Sequence, residues 1–231
     1  MGSLGALVLW AATLSILLQI GVSIAAGRNQ KPASIKLAER LTITSGALVT
    51  LGAFILLAAL IARDYSILYV TEYTSDTLSL MYRIGAMWAG QGGSLLLWAW
   101  IVSGSAAWVV IANKRYRYGV SVFSYAIFGL ISGLFVVLSV TPALGGVFAA
   151  APEGVVNGSG LNPLLQDPLQ LIHPLWLYGG YVLYAVPFAL VVGSLIAGND
   201  LEGAWLRQAR TWSIVSWIAL TGGIVLGARW A

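Results

Sequence analysis

The single histidine of the 231-residue chain, His173, is the side chain with the widest choice of chemistry. It lies in a Pro-rich stretch, residues 161–187, that leads into a long apolar segment, and Pro174 follows it directly. Proline is tolerated in the first turn of a helix, where its missing N–H would have no partner anyway. We therefore predict that His173 lies at or just before a helix start, at a membrane surface marked by Trp176 and Tyr178.

Two interpretations of His173 are open from its chemistry. In the first, the imidazole is a structural group at the membrane interface, hydrogen-bonded to a neighbour such as Asp167. In the second, it is an axial ligand of a haem iron, with a neutral Nε2 on the metal and the other nitrogen oriented by a hydrogen bond. The tyrosines that follow at helical spacing, beginning with Tyr178, are interpreted as packing or interfacial residues.

A second candidate is the Gly- and Trp-rich stretch at residues 88–98. In a structural interpretation the glycines allow a tight turn, Ser94 caps the following helix, and Trp88, Trp98 and Trp100 anchor it at the interface. In a functional interpretation the glycines let a flat ligand approach the backbone while tryptophans stack on it. Composition alone does not choose between the two.

Missing residue types exclude several classes of site. The chain has no Cys, which excludes a thiolate nucleophile, a disulfide and a covalent thioether haem site on this chain. One His and no phosphate-binding Gly-x-x-x-x-Gly-Lys-Ser/Thr motif exclude an ordinary zinc site and a P-loop. The predicted spans lack acids and mid-helix Lys, so a proton relay would find few groups.

The composition is that of an integral membrane protein: 59% of residues are hydrophobic, 9% are charged, and the mean hydropathy is +0.87. We predict an all-α, polytopic membrane helix bundle with about six transmembrane helices. The predicted spans are residues 4–26, 41–62, 94–112, 120–140, 173–197 (kinked at Pro187) and 211–228. The net charge of +4 is confined to short connections, so it signals topology and not nucleic-acid binding.

Charge asymmetry predicts the orientation, because cytoplasmic loops hold the excess of Lys and Arg. Nine of the twelve bases fall on one side: Arg28, Lys31, Lys36, Arg40, Lys114, Arg115, Arg117, Arg207 and Arg210. Both termini are then outside, together with two long outward loops at about 64–93 and 141–173. In the first loop, residues 65–74 could form a short strand or an interfacial segment, and residues 78–88 suit a surface helix. The two loops could form a small outward platform.

Three ordered stretches resemble the CcmF-type cytochrome c haem lyase subunits and their relatives of the nitrite-reductase biogenesis type. They are residues 64–70, residues 82–84 with 88–98, and residues 161–168 with 172–181. The resemblance implies a cytoplasmic (inner) membrane protein whose active face is periplasmic. It also implies that the protein takes haem from a periplasmic haem chaperone and helps to attach it to apocytochrome c. His173 matches the first of two outward-facing histidines that hold that haem.

The chain departs from the family pattern at two places. Gln91-Gly92 stands where the family often has His-Glu, and the sequence stops at Trp230-Ala231, before the family's Trp-rich loop and its further histidines. The resemblance therefore implies the N-terminal part of a haem lyase, truncated or naturally split. Its partner would be the remaining part, which supplies the second haem ligand. Because the Trp-rich loop and the other histidines are absent, we expect no lyase activity from this chain alone and propose no catalytic residue.

The proposed haem-binding set comprises His173, Arg83, Trp88, Trp98, Trp176 and Tyr178. A haem face is apolar and its propionates are anionic, so aromatic residues near a base suit it, and Arg83 is the only base within either outward loop. Two other classes remain open. One is a structural or assembly subunit that never binds haem, and the other is a small-molecule transporter with broken helices, for which Pro187 and Gly193 are hints.

Overall fold

The computed structural model describes residues 1–116, 119–141, 146–198 and 203–230. Its helices are α1 (Gly2–Asn29), α2 (Pro32–Ala62), α3 (Leu68–Tyr73), α4 (Leu80–Gly85), α5 (Gln91–Tyr116), α6 (Phe123–Val140), α7 (Pro168–Leu183), α8 (Ala185–Ala197) and α9 (Ala204–Trp230). One-turn 3₁₀ helices lie at Ala86–Trp88 and Pro163–Leu165. No strand occurs in these ranges, so the predicted all-α class is confirmed.

Six helical segments are long and apolar enough to cross a membrane, as predicted. They are α1, α2, α5, α6, the α7–α8 pair (Pro168–Ala197) and α9. Several spans are longer than their apolar cores, because Lys and Arg at a helix end can place their charges in the headgroup region. Helix α2 begins at Pro32 and not near residue 41, so the basic connection from α1 shrinks to Gln30 and Lys31. Arg117, assigned to the basic side, lies outside the described residues.

The start of α7 corrects the prediction for His173. The helix begins at Pro168, and its N-cap is Asp167, whose carboxylate accepts a hydrogen bond from the Leu169 N–H at 2.6 Å. His173 therefore lies in the second turn, and Pro174 is inside the helix instead of opening it. The capping acid and the first-turn proline had already started the helix five residues earlier.

The fifth span is interrupted where a proline predicts a kink. Helix α7 ends at Leu183, Tyr184 separates it from α8, and Pro187 lies three residues beyond that break. Because Pro187 has no N–H for the Leu183 carbonyl, the helical ladder is broken at this turn. The predicted kink is confirmed by this break.

The first predicted outward loop, residues 64–93, contains two short helices and a 3₁₀ turn, and α5 already begins within it at Gln91. The strand alternative for residues 65–74 is wrong, because Leu68–Tyr73 is α3. Among the described residues, β pairing is limited to one bridge between Ile67 and Ala150. The helix predicted at residues 78–88 is present as α4 and the following 3₁₀ turn.

The two loop segments contact each other on the side away from the Lys- and Arg-rich ends. The Leu68 N–H donates to the Ala149 carbonyl at 2.8 Å, and the Ser159 N–H donates to the Thr71 carbonyl at 2.7 Å. On this same side the Met1 amino group contacts Asp64 at 2.9 Å. Hydrogen bonding to Ser66, more than the nearby amino group, lowers the pKa of Asp64 below its usual 3.8.

Candidate functional site

His173 packs against the C-terminal part of α9. Its Nδ1 lies 2.8 Å from the Gly223 carbonyl oxygen, and its ring covers Gly227 so closely that a Cβ there would clash. A carbonyl can only accept, so Nδ1 carries the proton in this contact. In the neutral imidazole, Nε2 then holds the lone pair, which is the tautomer that metal-binding histidines present. The partner predicted for His173, Asp167, instead caps α7.

Small residues let α7 and α9 approach closely enough to make that hydrogen bond. A Cβ on Gly180 would clash with Leu220, and a Cβ on Gly223 would meet the backbone of Leu177. Gly223 and Gly227 are four residues apart, the spacing at which small residues let membrane helices pack backbone to backbone. The position of the imidazole is thus set by two helices and not by a loop.

Pro174 leaves a carbonyl of α7 free for a hydrogen bond from the Gly- and Trp-rich stretch at residues 88–98. Without an N–H it leaves the Gln170 carbonyl, four residues earlier, without its helical donor. The indole N–H of Trp88 lies 3.3 Å from that carbonyl oxygen and donates to it. Trp88 is 8% exposed, so the hydrogen bond is made in the protein interior. Trp88 therefore supports the turn of α7 that precedes His173.

The glycines beside Trp88 are packed against the protein's own tyrosines. The Tyr69 hydroxyl donates to the Ala86 carbonyl at 2.9 Å and accepts from the Gly90 N–H at 3.1 Å. A Cβ on Gly93 would clash with that hydroxyl, and a Cβ on Gly90 would clash with Tyr73. Burial raises the pKa of Tyr69, which keeps it a neutral donor. The close approach at Gly90 and Gly93 is therefore to tyrosines of the same chain, a contact that neither interpretation included.

Ser94 does not cap the following helix. Helix α5 begins at Gln91, and the Ser94 hydroxyl donates back to the Trp88 carbonyl at 2.9 Å. The prediction of a Ser94 cap is wrong because the tight packing of the glycines allows the helix to begin three residues earlier.

Trp98 and Tyr178 meet in a separate aromatic cluster between α5, α6 and α7. The Trp98 ring contacts Tyr178, Tyr181 and Phe135 edge to face, with centroids 5.2 to 5.6 Å apart. Such pairs add to packing beyond the area that they bury. This cluster lies on the α5-facing side of α7, whereas His173 faces α9. Trp98 and Tyr178 are therefore separated from His173 by the width of α7.

Arg83 is engaged at the end of α2. Its guanidinium Nη1 donates to the Ile61 carbonyl, which belongs to the last turn of that helix. The Arg83 Nε is buried and has no hydrogen-bond partner within the described ranges. A cation at a helix C-terminus also complements the helix dipole. Arg83 thus has a structural role in addition to any contact with an anionic ligand.

One face of α7 beside His173 is open and apolar. Ile172, Leu175 and Trp176 are 49%, 41% and 45% exposed, and a Cβ on Gly179 would meet nothing within 4 Å. These positions follow helical spacing, so they form one continuous stripe. An aromatic ring, aliphatic side chains and an open glycine next to an imidazole make a surface on which a flat apolar ligand can lie.

Comparison with known proteins identifies the family of this chain. A family model described as "Cytochrome C assembly protein" matches residues 88–231, which include His173, Trp88 and the whole of α7. The chain belongs to the cytochrome c assembly protein family.

Curated relatives of this cytochrome c assembly protein are named for cytochrome c biogenesis. The cytochrome c-type biogenesis protein CcmF of Escherichia coli is 38% identical over 78% of this chain, and these residues are 28% of the relative. The protein NrfE of Haemophilus influenzae is 34% identical over 88% of this chain and 32% of the relative. The chain thus spans about a third of the length of the curated relatives that it matches.

A solved structure shares the fold of this cytochrome c assembly protein. The structure titled "Cytochrome c Heme Lyase CcmF" aligns with 99% of this chain and 36% of its own, with a TM-score of 0.81 and 21% identity. The likeness shows that the six-span arrangement is that of the solved protein.

Sequence reasoning missed the contacts that α9 provides to the site. Gly223 and Gly227 hold the imidazole, yet neither was proposed as a site residue. A signal was present, since glycines four residues apart in an apolar helix indicate a close helix contact. Tyr69 and Gln170 were also missed, because only the fold shows which carbonyl Pro174 frees and which donor reaches it.

Proposed function

We propose that this chain is a haem-handling membrane subunit for cytochrome c maturation, with haem as its cargo and His173 as one axial ligand. The observation that carries the proposal is the hydrogen bond from His173 Nδ1 to the Gly223 carbonyl, which fixes the ring and its tautomer. Oriented imidazoles of this kind are typical of haem and metal ligands. Haem supplies the vinyl groups that become thioether bonds to apocytochrome c.

The residues of this chain fit one face of a haem. One imidazole supplies one axial ligand, and the exposed stripe of Ile172, Leu175 and Trp176 supplies an apolar surface beside it. Burying apolar surface stabilises such a contact by roughly 25 cal/mol per Å². The chain has one His, so a second imidazole would come from the remaining part of the lyase. That part covers the opposite haem face and completes the activity.

The other proposed binding residues act at a distance from the iron. Trp88 supports α7 through Gln170, and the edge-to-face contact of Trp98 with Tyr178 holds the opposite side of the same helix. Arg83 remains a candidate for a propionate, and the Ile61 carbonyl already orders its guanidinium. A preordered guanidinium loses less side-chain entropy when it binds a carboxylate.

The working face is the one that carries the two interlocked loop segments. We infer that it is periplasmic, in the cytoplasmic (inner) membrane, because the Lys- and Arg-rich helix ends lie at the opposite side. A periplasmic haem chaperone would deliver cargo there, and apocytochrome c would receive it there.

The proposal is tested by cytochrome c maturation in cells that carry His173→Ala or His173→Gly. We expect maturation to be lost while the chain stays in the membrane, and added imidazole to restore it in part for His173→Gly. Leu14→Ala, at a position on α1 that is 60% exposed, is the control and should mature cytochrome c normally. Unaffected maturation in both His173 variants would refute the ligand assignment.

The second candidate is an assembly subunit that holds the bundle together without binding haem. It is favoured by the extensive tertiary contacts of the predicted residues, above all the bonds of Trp88 and Arg83 to backbone carbonyls. Under this alternative, His173→Ala would lower the amount of partner recovered with the chain. The haem content per complex would not change.

A further inference from the structure

A groove of about 550 Å³ lies between α5 and α9, at the opposite end of the bundle from His173. Its lining residues are Trp108, Arg207, Gln208, Thr211, Trp212 and Val215. The rings of Trp108 and Trp212 meet edge to face at 5.3 Å and join the two helices there. The groove is therefore formed by packed side chains of two helices, with aromatic walls and one cationic end.

Gln208 is the polar group of that groove without a partner. Its side chain is 5% exposed, and neither the amide oxygen nor the amide nitrogen has a hydrogen-bond partner in the part of the chain that is described. Leaving a buried polar group without a partner is unfavourable, and this one lies in a membrane-spanning helix. A ligand with both donor and acceptor groups would satisfy it.

The charge at the same end of the groove points to an anion. Arg207 lies in the first turn of α9, where the helix dipole disfavours a cation and favours an anion. Arg210 is one turn further along and is exposed. Lys114, at the end of α5, is paired with Glu39 at 2.9 Å. Asp200 and Glu202, which precede α9 in the sequence, lie outside the described residues.

The polarity of the groove changes along the membrane normal. Arg207 and Gln208 are at the end of the groove nearest the start of α9. Thr211 and Trp212 lie one turn deeper in the membrane-spanning helix, and Val215 lies a further turn along it. A lipid matches this order if its charged headgroup lies beside Arg207 and its acyl chain lies along the Trp and Val side chains. Basic sites between membrane helices on the cytoplasmic side are typical sites for anionic lipid headgroups.

We propose that this groove binds one anionic phospholipid of the leaflet that faces the Lys- and Arg-rich helix ends. The phosphate lies against Arg207, the headgroup hydroxyls or ester oxygens bond the Gln208 amide, and one acyl chain follows Trp108, Trp212 and Val215. The proposal rests on none of the residues assigned to haem and goes beyond that function.

The test uses the whole chain in nanodiscs of mixed phosphatidylglycerol and phosphatidylcholine, with retained lipids counted by native mass spectrometry. We expect one tightly held phosphatidylglycerol per chain. Arg207→Gln should lower its retention about fivefold, the effect of about one lost charge near a membrane surface. Gln208→Leu should lower it as well, and Val215→Trp should lower it by filling the acyl channel while keeping the charge.

Arg28→Gln is the matched control, because it removes one exposed charge from the same side at the end of α1. Its lipid retention should equal that of the unchanged chain. The proposal is overturned if Arg207→Gln retains lipid normally, if Arg28→Gln loses as much, or if phosphatidylcholine is held equally well. It is also overturned if the lipid is absent when the chain is purified with the rest of the lyase, since a protein helix would then fill the groove.

Discussion

Pro174 and Trp88 are coupled through a single peptide carbonyl, that of Gln170. A proline inside a helix costs stability because it removes one backbone hydrogen bond and because its ring crowds the carbonyl four residues earlier. Here the missing donor is replaced by an indole N–H from a different element. The coupling holds the turn before His173 in place, so Trp88, which belongs to a different element, helps to set the direction of the imidazole.

Trp88→Phe is expected to destabilise the fold by about 1–3 kcal/mol, because it leaves the Gln170 carbonyl buried without a donor. The free energy of unfolding in detergent measures this loss. Trp10→Phe is the control, at a position on α1 that is 49% exposed, and should change stability little. Equal stability of the Trp88→Phe and wild-type chains would show that the indole hydrogen bond contributes nothing.

Asp64 links protonation to stability on the His173 side of the bundle. Its pKa is lowered in the fold, so the carboxylate stabilises the protein above the unfolded value near 3.8, and this contribution is lost as the pH falls through the folded pKa. Asp64→Asn should therefore be less stable than wild type at pH 7. The difference should narrow as the pH is lowered below 3.8.

Ser66→Ala is the matched variant for that titration, since the Ser66 hydroxyl is the largest cause of the lowered pKa. At pH 7 the Ser66→Ala variant should lose part of the stability that Asp64→Asn loses, although Asp64 itself is still present. Parallel stability curves for wild type and Asp64→Asn between pH 7 and pH 3 would contradict the assignment.

At the scale of elements, the α7–α9 pair decides the geometry of the candidate site. Helix α9 is the least buried of the six spans, yet Gly222, Gly223 and Gly227 pack closely against α7 over less than two turns. Van der Waals packing between small residues is a main source of helix association in membranes, where both surfaces are equally apolar.

Gly223→Ala is expected to separate α7 from α9, because its Cβ would meet the backbone of Leu177. We expect a loss of about 1–3 kcal/mol, as for other overpacked contacts, together with lower haem retention. Denaturation in detergent and haem content per chain measure the two effects. Gly104→Ala is the control, since a Cβ there meets nothing within 4 Å. Equal behaviour of the two variants would show that the close contact is unimportant.

Much of this element pattern could be predicted from the sequence. Apolar runs and their charged ends gave six spans, and Pro187 located the break between α7 and α8. The start of α7 was misplaced because Pro174 was taken for a first-turn proline, although Asp167 and Pro168 form a complete start signal just before it. The partner of His173 could not be found, because it is a carbonyl 50 residues away on another helix.

At the scale of the whole molecule, charge and contacts give the same two-sided arrangement. The N-terminal end of α1, the interlocked loop segments and the His173 end of α7 share one side. The Lys- and Arg-rich ends of α1, α2 and α5 share the other, together with the groove proposed for lipid. The proposed haem site and the proposed lipid groove are thus separated by the thickness of the bundle.

The orientation is tested by single cysteines, which is straightforward because the chain has none. A membrane-impermeant maleimide should label Glu153→Cys from the periplasm, because positive-inside topology places that exposed loop outside. Asn29→Cys, at the exposed end of α1, should react only after the membrane is permeabilised. The reverse pattern would place His173 on the cytoplasmic side and contradict the proposed working face.

The most direct test of the central claim is the absorbance of haem in the chain purified with the rest of the lyase. We predict a Soret band that His173→Ala removes or shifts and that imidazole restores in His173→Gly, with equal protein in every sample. A band of unchanged position and intensity in both variants would show that His173 does not ligate the iron, and the haem-handling account of this chain would be contradicted.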